Sequence, residues 1–265
     1  MQPYFFGASD RRLFGVADDP PVDADRRCAV VLCYPYGQDY VYAFRPYRSL
    51  ATRLSRVGFF ALRFDYSGTG DSALEIDHTT PRTWAADVRA AVDEVRSLGY
   101  ASVSLVGFRF GAAMAVAASS ECRFVDRLVL WDPILDGETY SAALLAGHAT
   151  WFRELTMAVP GARRLSPDGE LFGFRFTDNF RRDLEGVNLW SLARRPAREV
   201  LIISGFESPE YGRFAEHLRS LGASVQIKTV EDVRISSMRP GMPNALVPNR
   251  VLQEIVSWLG RAALD

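Results

Sequence analysis

The chain has 265 residues, 48% of them hydrophobic, which is enough for one large buried core or two small ones and excludes disordered and collagen-like proteins. The 31 basic and 32 acidic residues leave a net charge of −1, so the charge balance predicts neither a nucleic-acid partner nor an anionic membrane surface. The three cysteines are odd in number and lack C-x-x-C spacing, which excludes a disulfide framework and a zinc ribbon.

The predicted location is the cytoplasm, because this cysteine usage fits a reducing compartment. The first residues lack a charged region followed by a long apolar stretch. No window approaches 18 uninterrupted apolar residues. We therefore expect neither signal-directed export nor a membrane-spanning segment.

Short apolar runs alternate with amphipathic stretches, a pattern typical of a mostly parallel sheet covered by helices on both faces. The elements predicted first along the chain are a hairpin at 4–7 and 12–16, a strand at 28–34, a helix at 46–57 ended by Gly58, a strand at 59–66, a helix at 81–98 with Gly99 as its C′ residue, and a strand at 102–106. After these come an alanine-rich helix at 112–118, a strand at 127–131, a segment at 136–192 where the alternation breaks down, a strand at 200–204, a helix at 211–221, a strand at 224–230 and a helix at 248–261. We interpret residues 1–265 as a single α/β domain and residues 136–192 as a lid inserted within it.

The carboxyl ends of the predicted parallel strands are where such a sheet binds ligands. Four segments follow the strands at this edge, namely 34–40, 65–72, 107–111 and 131–133. Their sequences are Tyr-Pro-Tyr-Gly-Gln-Asp-Tyr, Asp-Tyr-Ser-Gly-Thr-Gly-Asp-Ser, Gly-Phe-Arg-Phe-Gly and Trp-Asp-Pro. Candidate functional residues are therefore sought in these segments first.

Taken in this order, the segments resemble the α/β-hydrolase superfamily. Residues 65–72 look like its D-x-x-G-x-G-x-S loop, and residues 107–111 lie where the superfamily carries the nucleophile elbow G-x-S-x-G. The resemblance spans essentially the whole chain and implies an α/β-hydrolase fold with a helical lid. A closer likeness is to the serine-lacking hydrolase-like proteins of exosortase and polysaccharide-export systems and to their relatives in natural-product gene clusters, where an arginine at the elbow is a familiar variant.

The serine triad of that superfamily is predicted to be lost. Arg109 stands at the centre of the elbow, and a guanidinium stays protonated and is no nucleophile. The superfamily's histidine normally follows the last core strand, yet residues 230–237 contain none and no histidine follows His217. Glu207 is one residue away from the usual position of the acid. Cys33 ends a strand, where a cysteine is usually a small buried hydrophobe.

Arg109 is the residue on which the functional hypothesis depends. Together with the Phe110 N–H at the start of a helix, it is predicted to bind an acidic or carbonyl group of a ligand. The alternative is a structural ion pair with Asp39 or Asp132, and the two interpretations do not exclude each other. Asp39 and Asp132 are also the candidate bases. The predicted substrate-binding residues, drawn from the segment after the first core strand, the elbow and the lid, are Tyr36, Gln38, Phe108, Phe110 and His148.

The sequence thus predicts a non-hydrolytic step, such as elimination, cyclisation or acyl transfer, on a hydrophobic acyl or carbonyl substrate in a biosynthetic pathway, with no metal and no other cofactor. Two alternatives stay open: a catalytically silent ligand-binding or scaffold protein, and an atypical hydrolase or thioesterase. The aromatic residues of the lid suit an apolar ligand, or they seal the lid onto the domain or a second subunit. A homodimer and a partner biosynthetic enzyme both stay open as partners.

Overall fold

The structure is a computed structural model and describes residues 1–122, 125–158, 169–233 and 246–261. Its strands are β1 Gln2–Phe6, β2 Leu13–Asp18, β3 Cys28–Cys33, β4 Phe59–Phe64, β5 Ser102–Phe108, β6 Val125–Trp131, β7 Glu170–Leu171, β8 Phe174–Arg175, β9 Glu199–Ser204 and β10 Ser224–Thr229. Its α-helices are α1 Gln38–Arg56, α2 Pro81–Ser97, α3 Phe110–Glu121, α4 Gly137–Ala158, α5 Asp178–Glu185, α6 Pro209–Ser220 and α7 Asn249–Leu259.

Eight of the described strands form one large sheet in the order β1-β2-β4-β3-β5-β6-β9-β10, and β7 and β8 pair separately. In this sheet the pairs β1–β2 and β2–β4 are antiparallel, and every later pair in the order just given is parallel. The predicted mostly parallel sheet with a leading hairpin is confirmed. Strands β3 and β5 are mostly apolar because both of their faces are covered by helices, and their central residues are buried.

Local sequence signals explain where several helices begin and end. The Thr80 side chain accepts a hydrogen bond from the Thr83 N–H at the start of α2, and Pro81 occupies the first helical position. Gly58 and Gly99 follow the ends of α1 and α2 with φ of 97° and 96°, a conformation that favours glycine, so both predicted stop signals are confirmed. Alanine-rich α3 is mostly buried because small side chains allow it to lie close to the sheet.

Helix α1 begins eight residues earlier than predicted, so the prediction that Gln38 and Asp39 lie in a loop is wrong. Gly37, with φ of 62°, turns the chain directly into the helix. Pro46 lies inside α1, where its missing N–H leaves one backbone bond unmade. Burial of one face of the helix, including Tyr42 and Tyr47, compensates for that loss.

The predicted lid segment contains α4, the short antiparallel hairpin β7–β8, called the lid hairpin below, and α5. The hairpin was not predicted, and residues 159–168 of this segment lie outside the described part of the chain. The lid hairpin reaches the carboxyl edge of the sheet, where its Phe174 lies 3.9 Å from the position a Cβ atom would take on Gly37. Within the described ranges, no helix is both long and apolar enough to cross a membrane.

Candidate functional site

The turn between β5 and α3 holds Arg109 in an unusual backbone conformation, with φ of 52° and ψ of −121°. A non-glycine residue at positive φ is strained, and such strain persists only where the surroundings fix it. Here the Arg109 N–H donates to the Trp131 carbonyl over 2.9 Å, and the Arg109 carbonyl accepts from the N–H groups of Ala112 and Ile134 over 3.1 and 3.3 Å. The backbone around the turn is therefore fixed on both sides.

The two glycines of the turn are required by close backbone packing. A Cβ atom on Gly107 would lie 2.4 Å from the Ala112 Cα, and one on Gly111 would lie 2.2 Å from the Cys33 carbonyl oxygen. Neither approach is tolerable for a real side chain. The spacing of the glycines thus reports how tightly α3 lies on the ends of β3 and β5, whatever residue stands between them.

Strand register brings the candidate residues together at this edge. Cys33 pairs with Gly107, which places the segment after β3 beside the turn. Phe108 pairs with Trp131, so the residue after each strand, Arg109 and Asp132, follows at the same level. The sequence-predicted set of Arg109, Asp39 and Asp132 therefore converges because three neighbouring parallel strands end at one place.

The Arg109 side chain forms an ion pair with Asp39, in which Nε donates to Oδ2 over 3.3 Å. The two side chains are 25% and 13% exposed, so the pair is mostly shielded from water. The guanidinium also lies over the ring of Tyr140, 5.5 Å from its centroid. No described residue hydrogen-bonds the terminal nitrogens Nη1 and Nη2 of Arg109. One edge of the guanidinium is fixed, and the other can meet a ligand.

The environment shifts the pKa values of both members of this pair. Burial raises the pKa of the Asp39 carboxyl above its usual range, although Arg109 and the neighbouring Tyr140 oppose the rise. Burial is the largest single influence on the pKa of the Arg109 guanidinium and works to lower it, but Asp39, Tyr140 and Tyr211 together outweigh burial and leave this pKa above its usual value. Arg109 is therefore permanently charged, and Asp39 is a more basic carboxylate than a solvated one.

Asp132 takes a different place from Asp39. It has φ of 43°, is 3% exposed, and accepts a hydrogen bond from the Ser204 hydroxyl over 2.6 Å. Ser204 ends β9, and Trp131 pairs with Ile203 in the register that brings Ser204 beside Asp132. The negative charge of Asp132 contributes to the raised pKa of Asp39. Asp132 is thus bonded to the end of β9 while its charge reaches the ion pair.

A small cavity, called the elbow pocket below, surrounds the ion pair and has a volume of about 150 Å³. The lid forms part of its wall through Tyr140, Leu144 and, from the lid hairpin, Leu171 and Phe172. Its lining residues are Tyr36, Gly37, Gln38, Asp39, Tyr42, Arg109, Tyr140, Leu144, Leu171 and Phe172. Tyr42 was missed by sequence reasoning because α1 was predicted to begin only at residue 46.

Three of the predicted substrate-binding residues support the elbow pocket from behind. Phe108 is fully buried against Trp131, and Phe110 is stacked behind Tyr140 with ring centroids 5.8 Å apart. His148 lies on α4, and its Nδ1 accepts a hydrogen bond from the N–H of Phe172 over 3.0 Å. Burial lowers the pKa of the His148 imidazole, which favours the neutral form that can accept this bond.

Tyr36 connects the segment after β3 with the lid. Its hydroxyl donates to the Arg175 carbonyl in the lid hairpin over 2.6 Å, and its ring stacks against Phe180 at 4.9 Å. The Arg175 side chain in turn makes an ion pair with Asp77 outside the lid. The lid hairpin is therefore fastened at both its backbone and its side chains.

The other groups considered for triad chemistry lie away from the elbow pocket. His78 is exposed in a short 3₁₀ helix, and His217 packs against Trp190 on α6. Glu207 is exposed after β9, and burial raises the pKa of the Cys33 thiol. Of the stretch 230–237, residues 234–237 lie outside the described residues. The described ranges contain no group of three His, Cys, Asp or Glu residues arranged to hold a metal ion.

No protein-family model matches the chain, and no curated protein sequence matches it. Solved structures do match over nearly the full length. Est1E from Butyrivibrio proteoclasticus with ferulic acid bound is 14% identical, with a TM-score of 0.65 and 97% of each chain covered. Mouse alpha/beta hydrolase domain-containing protein 10 is 17% identical, with a TM-score of 0.60 and 98% of each chain covered. The bottromycin epimerase BotH in complex with bottromycin A2 is 20% identical, with a TM-score of 0.61 and 98% of each chain covered.

The chain has the α/β-hydrolase fold. The predicted fold class is confirmed by these neighbours, which at this identity inform on architecture and leave the activity to be argued from the site. The narrower likeness to serine-lacking proteins of exosortase systems stays a prediction. The turn at residues 107–111 has the strand–turn–helix geometry described for a nucleophile elbow, with Arg109 at its centre.

Proposed function

We propose that the chain carries out a non-hydrolytic step on a hydrophobic acyl or carbonyl substrate of a biosynthetic pathway, with Arg109 as the electrostatic anchor and Asp39 as the base. The observation that carries the proposal is that the two edges of the Arg109 guanidinium have different surroundings. Its Nε is held by Asp39, no described residue hydrogen-bonds its terminal nitrogens, and Arg109 lines the elbow pocket. An arginine fixed in this way is oriented before a ligand arrives, which is what electrostatic stabilisation requires.

Arg109 would receive the carbonyl or acidic group of the substrate. Arg109 is the N-cap residue of α3, and the backbone N–H groups and the dipole of that helix add positive potential at its N-terminus. An oxygen that gains negative charge during the reaction is stabilised more strongly than the neutral carbonyl oxygen. The anchor therefore favours reactions that pass through an enolate.

Asp39 would take the proton in such a reaction. Its carboxylate accepts a proton from the carbon next to the carbonyl; the electrons of that C–H bond form a C=C bond, and the π electrons of the carbonyl move onto its oxygen to give the enolate. Return of the proton to the opposite face gives an epimer, whereas loss of a group from the next carbon gives elimination. The raised pKa of Asp39 supports this role. Asp132 is the second candidate base, and an epimerase of the same fold supports the reaction class.

Loss of the serine triad belongs to the same proposal. It rests on Arg109 at the centre of the elbow and on the absence of any histidine after His217 in the sequence. A fluorophosphonate probe, which labels activated serines, is expected to leave the protein unlabelled. Covalent labelling would instead support the atypical hydrolase.

A silent ligand-binding protein is the second candidate, and one observation favours it. The elbow pocket of about 150 Å³ is smaller than the pockets of roughly 300–1,000 Å³ that hold most small ligands. It accommodates only the reacting end of a larger substrate. Under this alternative Arg109 binds an acidic group and no proton is transferred.

Deuterium uptake in D2O separates the two candidates without knowledge of the natural substrate. The probes are phenylacetone and the N-acetylcysteamine thioester of phenylacetic acid, both followed by NMR at the carbon next to the carbonyl. We expect wild-type protein to accelerate exchange, and Arg109→Leu and Asp39→Asn each to lower the rate by about 100-fold, because anchor and base are removed separately. Arg89→Leu is the matched control, since Arg89 also pairs with a carboxylate, Glu121, at 2.8 Å but outside the elbow pocket.

Equal exchange rates in wild-type protein and in both variants would contradict the catalytic proposal. Binding of either probe that depends on Arg109, without any acceleration of exchange, would favour the silent binder. Arg109→Lys refines the first result, because lysine keeps the charge but loses the planar fork.

A further inference from the structure

A second cavity, called the aromatic cavity below, lies on the other side of Tyr36 from the elbow pocket. It has a volume of about 280 Å³ and opens to solvent between the glycine-rich loop after β4 and the lid hairpin. Its lining residues are Pro35, Tyr36, Gly37, Tyr40, Tyr66, Gly68, Thr69, Gly70, Ile76, Trp84, Gly173, Phe174 and Arg175. Neither Arg109 nor Asp39 is among them, so the aromatic cavity is distinct from the proposed reaction site.

The walls of this cavity are flat and aromatic. The rings of Tyr66 and Trp84 stack on each other, with an angle of 7° between them and centroids 4.5 Å apart, and both are almost fully buried, so they form one fixed part of the wall. Tyr40 and Phe174 complete the aromatic walls. An apolar cavity of about 150 Å³ is known to admit benzene, so the larger volume here suits two fused rings. Aromatic groups gain extra stabilisation when offset-stacked or edge-on against such rings.

Among the described residues that line the aromatic cavity, Arg175 is the only charged one. Its guanidinium is bound to both carboxylate oxygens of Asp77, over 2.9 and 2.8 Å. The two side chains are 41% and 47% exposed, and exposed ion pairs contribute little free energy. An incoming acidic group can therefore share or replace the Asp77 carboxylate on this guanidinium.

We propose that the aromatic cavity is a second ligand site, which binds a planar aromatic group carrying an acidic substituent. The ring system lies among the aromatic walls, and the acidic group meets Arg175 at the mouth. Selectivity for aromatic acids over neutral aromatic compounds follows from the single cation. The site is independent of the chemistry proposed at Arg109, because the two cavities share only Tyr36 and Gly37.

The test is titration calorimetry of the full chain with 2-naphthoate and with its neutral analogue 2-naphthalenemethanol. Wild-type protein is expected to bind both, with the naphthoate about fivefold to tenfold tighter because it gains a charge-assisted hydrogen bond. Ile76→Trp, which fills the cavity, is expected to lower the affinity for both compounds at least tenfold. Arg175→Leu is expected to remove the preference for the acid while the neutral compound still binds.

Two control variants keep this test specific. Arg181 forms an exposed ion pair with Glu185 on α5, so Arg181→Leu removes a comparable charge outside the cavity and is expected to bind as wild type does. Arg109→Leu is also expected to bind both compounds normally, which distinguishes failure here from failure at the elbow pocket. Because Arg175 is exposed, its replacement does not threaten folding and remains informative even where Ile76→Trp is unstable.

The proposal is overturned if neither compound binds wild-type protein at millimolar concentration, or if a correctly folded Ile76→Trp variant binds both as tightly as wild type. Equal loss of both compounds in Arg175→Leu would overturn the assignment of the acidic group to Arg175. Asp77→Asn provides a sign test. By releasing the guanidinium, it is expected to tighten binding of 2-naphthoate and leave the neutral analogue unchanged.

Discussion

Two glycine-rich turns lie at the same edge of the sheet and use their polar groups in opposite ways. In the loop at 65–72, the Ser72 hydroxyl accepts from the Phe14 N–H over 2.8 Å and donates to the Asp65 carbonyl over 2.6 Å. The Asp65 carboxylate accepts from the Asp71 N–H and the Tyr40 hydroxyl. In the elbow, by contrast, the backbone N–H and carbonyl of Arg109 are hydrogen-bonded, while no described residue hydrogen-bonds the two terminal nitrogens of its side chain.

The difference shows that glycine spacing reports on backbone packing and carries little information about chemistry. Both turns need glycine, but the loop at 65–72 consumes its polar groups internally and acts as a structural support. The elbow presents Arg109, and the identity of that one residue decides what the turn can do. The chemistry open to such a turn therefore depends on the hydrogen-bond donors and acceptors that its own backbone packing does not use.

The largest expected effect on stability comes from replacing one glycine of each turn by alanine. In Gly111→Ala the Cβ would meet the carbonyl oxygens of Cys33 and Tyr34, which cannot move aside, so we expect a loss of about 3 kcal/mol or more in the free energy of unfolding. In Gly70→Ala the nearest group is the movable Asp65 carboxylate, and the cost is expected to be about 2 kcal/mol, mainly from positive φ.

Urea unfolding measures both changes. Gly212→Ala on α6 is the control, because no atom lies within 4 Å of the added Cβ, and it is expected to be neutral or to stabilise by up to about 1 kcal/mol. A smaller loss for Gly111→Ala than for Gly70→Ala would break the claim that the elbow is the more tightly packed turn.

The next effect concerns Asp87, a fully buried residue of α2 that accepts hydrogen bonds from the Ser67 N–H and hydroxyl beside the first turn. Burial raises the pKa of Asp87 from 3.8 to about 6. The folded state therefore holds this proton more tightly than the unfolded chain, so its contribution to stability is complete below pH 3.8 and is lost as the pH rises through 6. We expect a loss of about 3 kcal/mol over this window.

Denaturant unfolding at pH 4, 5, 6 and 7 tests this dependence through the difference between wild type and Asp87→Asn, which cannot ionise. The variant is expected to gain stability relative to wild type as the pH rises. Parallel pH profiles for the two proteins would be incompatible with a raised pKa for Asp87.

Removing one side chain from each turn should separate stability from function. Ser72→Ala loses two hydrogen bonds and leaves the Phe14 N–H without its partner, so we expect a loss of about 2 kcal/mol in stability and an unchanged rate of deuterium exchange. Arg109→Leu is expected to lower exchange strongly, and it also costs stability because Asp39 is left without its partner in a place mostly shielded from water. If Ser72→Ala, while still folded, slowed deuterium exchange as much as Arg109→Leu, the loop at 65–72 would not be purely structural.

The smallest effect is the pH dependence contributed by Asp39. Its pKa is raised by burial in spite of Arg109, so ionisation of Asp39 costs the folded state stability as the pH rises above the usual range of an aspartate. We therefore expect Asp39→Asn to gain stability relative to wild type between pH 4 and pH 7, measured by urea unfolding. A relative loss over this range would mean that Arg109 outweighs burial.

Much of this site could be predicted from sequence because strand order places it. The segments after β3, β5 and β6 are adjacent in any sheet of this order, and the pairing of Arg109 with Asp39 was one of two partners expected on that ground. The bond between Asp132 and Ser204 was not foreseen, since it depends on the register between β6 and β9. Register of this kind is set by packing along the whole strand and is not visible in a local motif.

Other features could not be predicted because local rules point the other way. Pro46 suggested a helix start, yet the buried face of α1 outweighs the lost backbone bond. His148 was expected to face a ligand, and it instead accepts from the N–H of Phe172 in a hairpin 24 residues away. Both outcomes depend on tertiary contacts that no window of sequence contains.

The hydroxyl of Tyr36 anchors the lid hairpin, whose residues line both cavities. Tyr36 lines both, and its bond to the Arg175 carbonyl holds the hairpin that supplies Phe172 to one and Phe174 to the other. One hydrogen bond therefore positions aromatic side chains in two cavities that, apart from Tyr36 and Gly37, are lined by different residues.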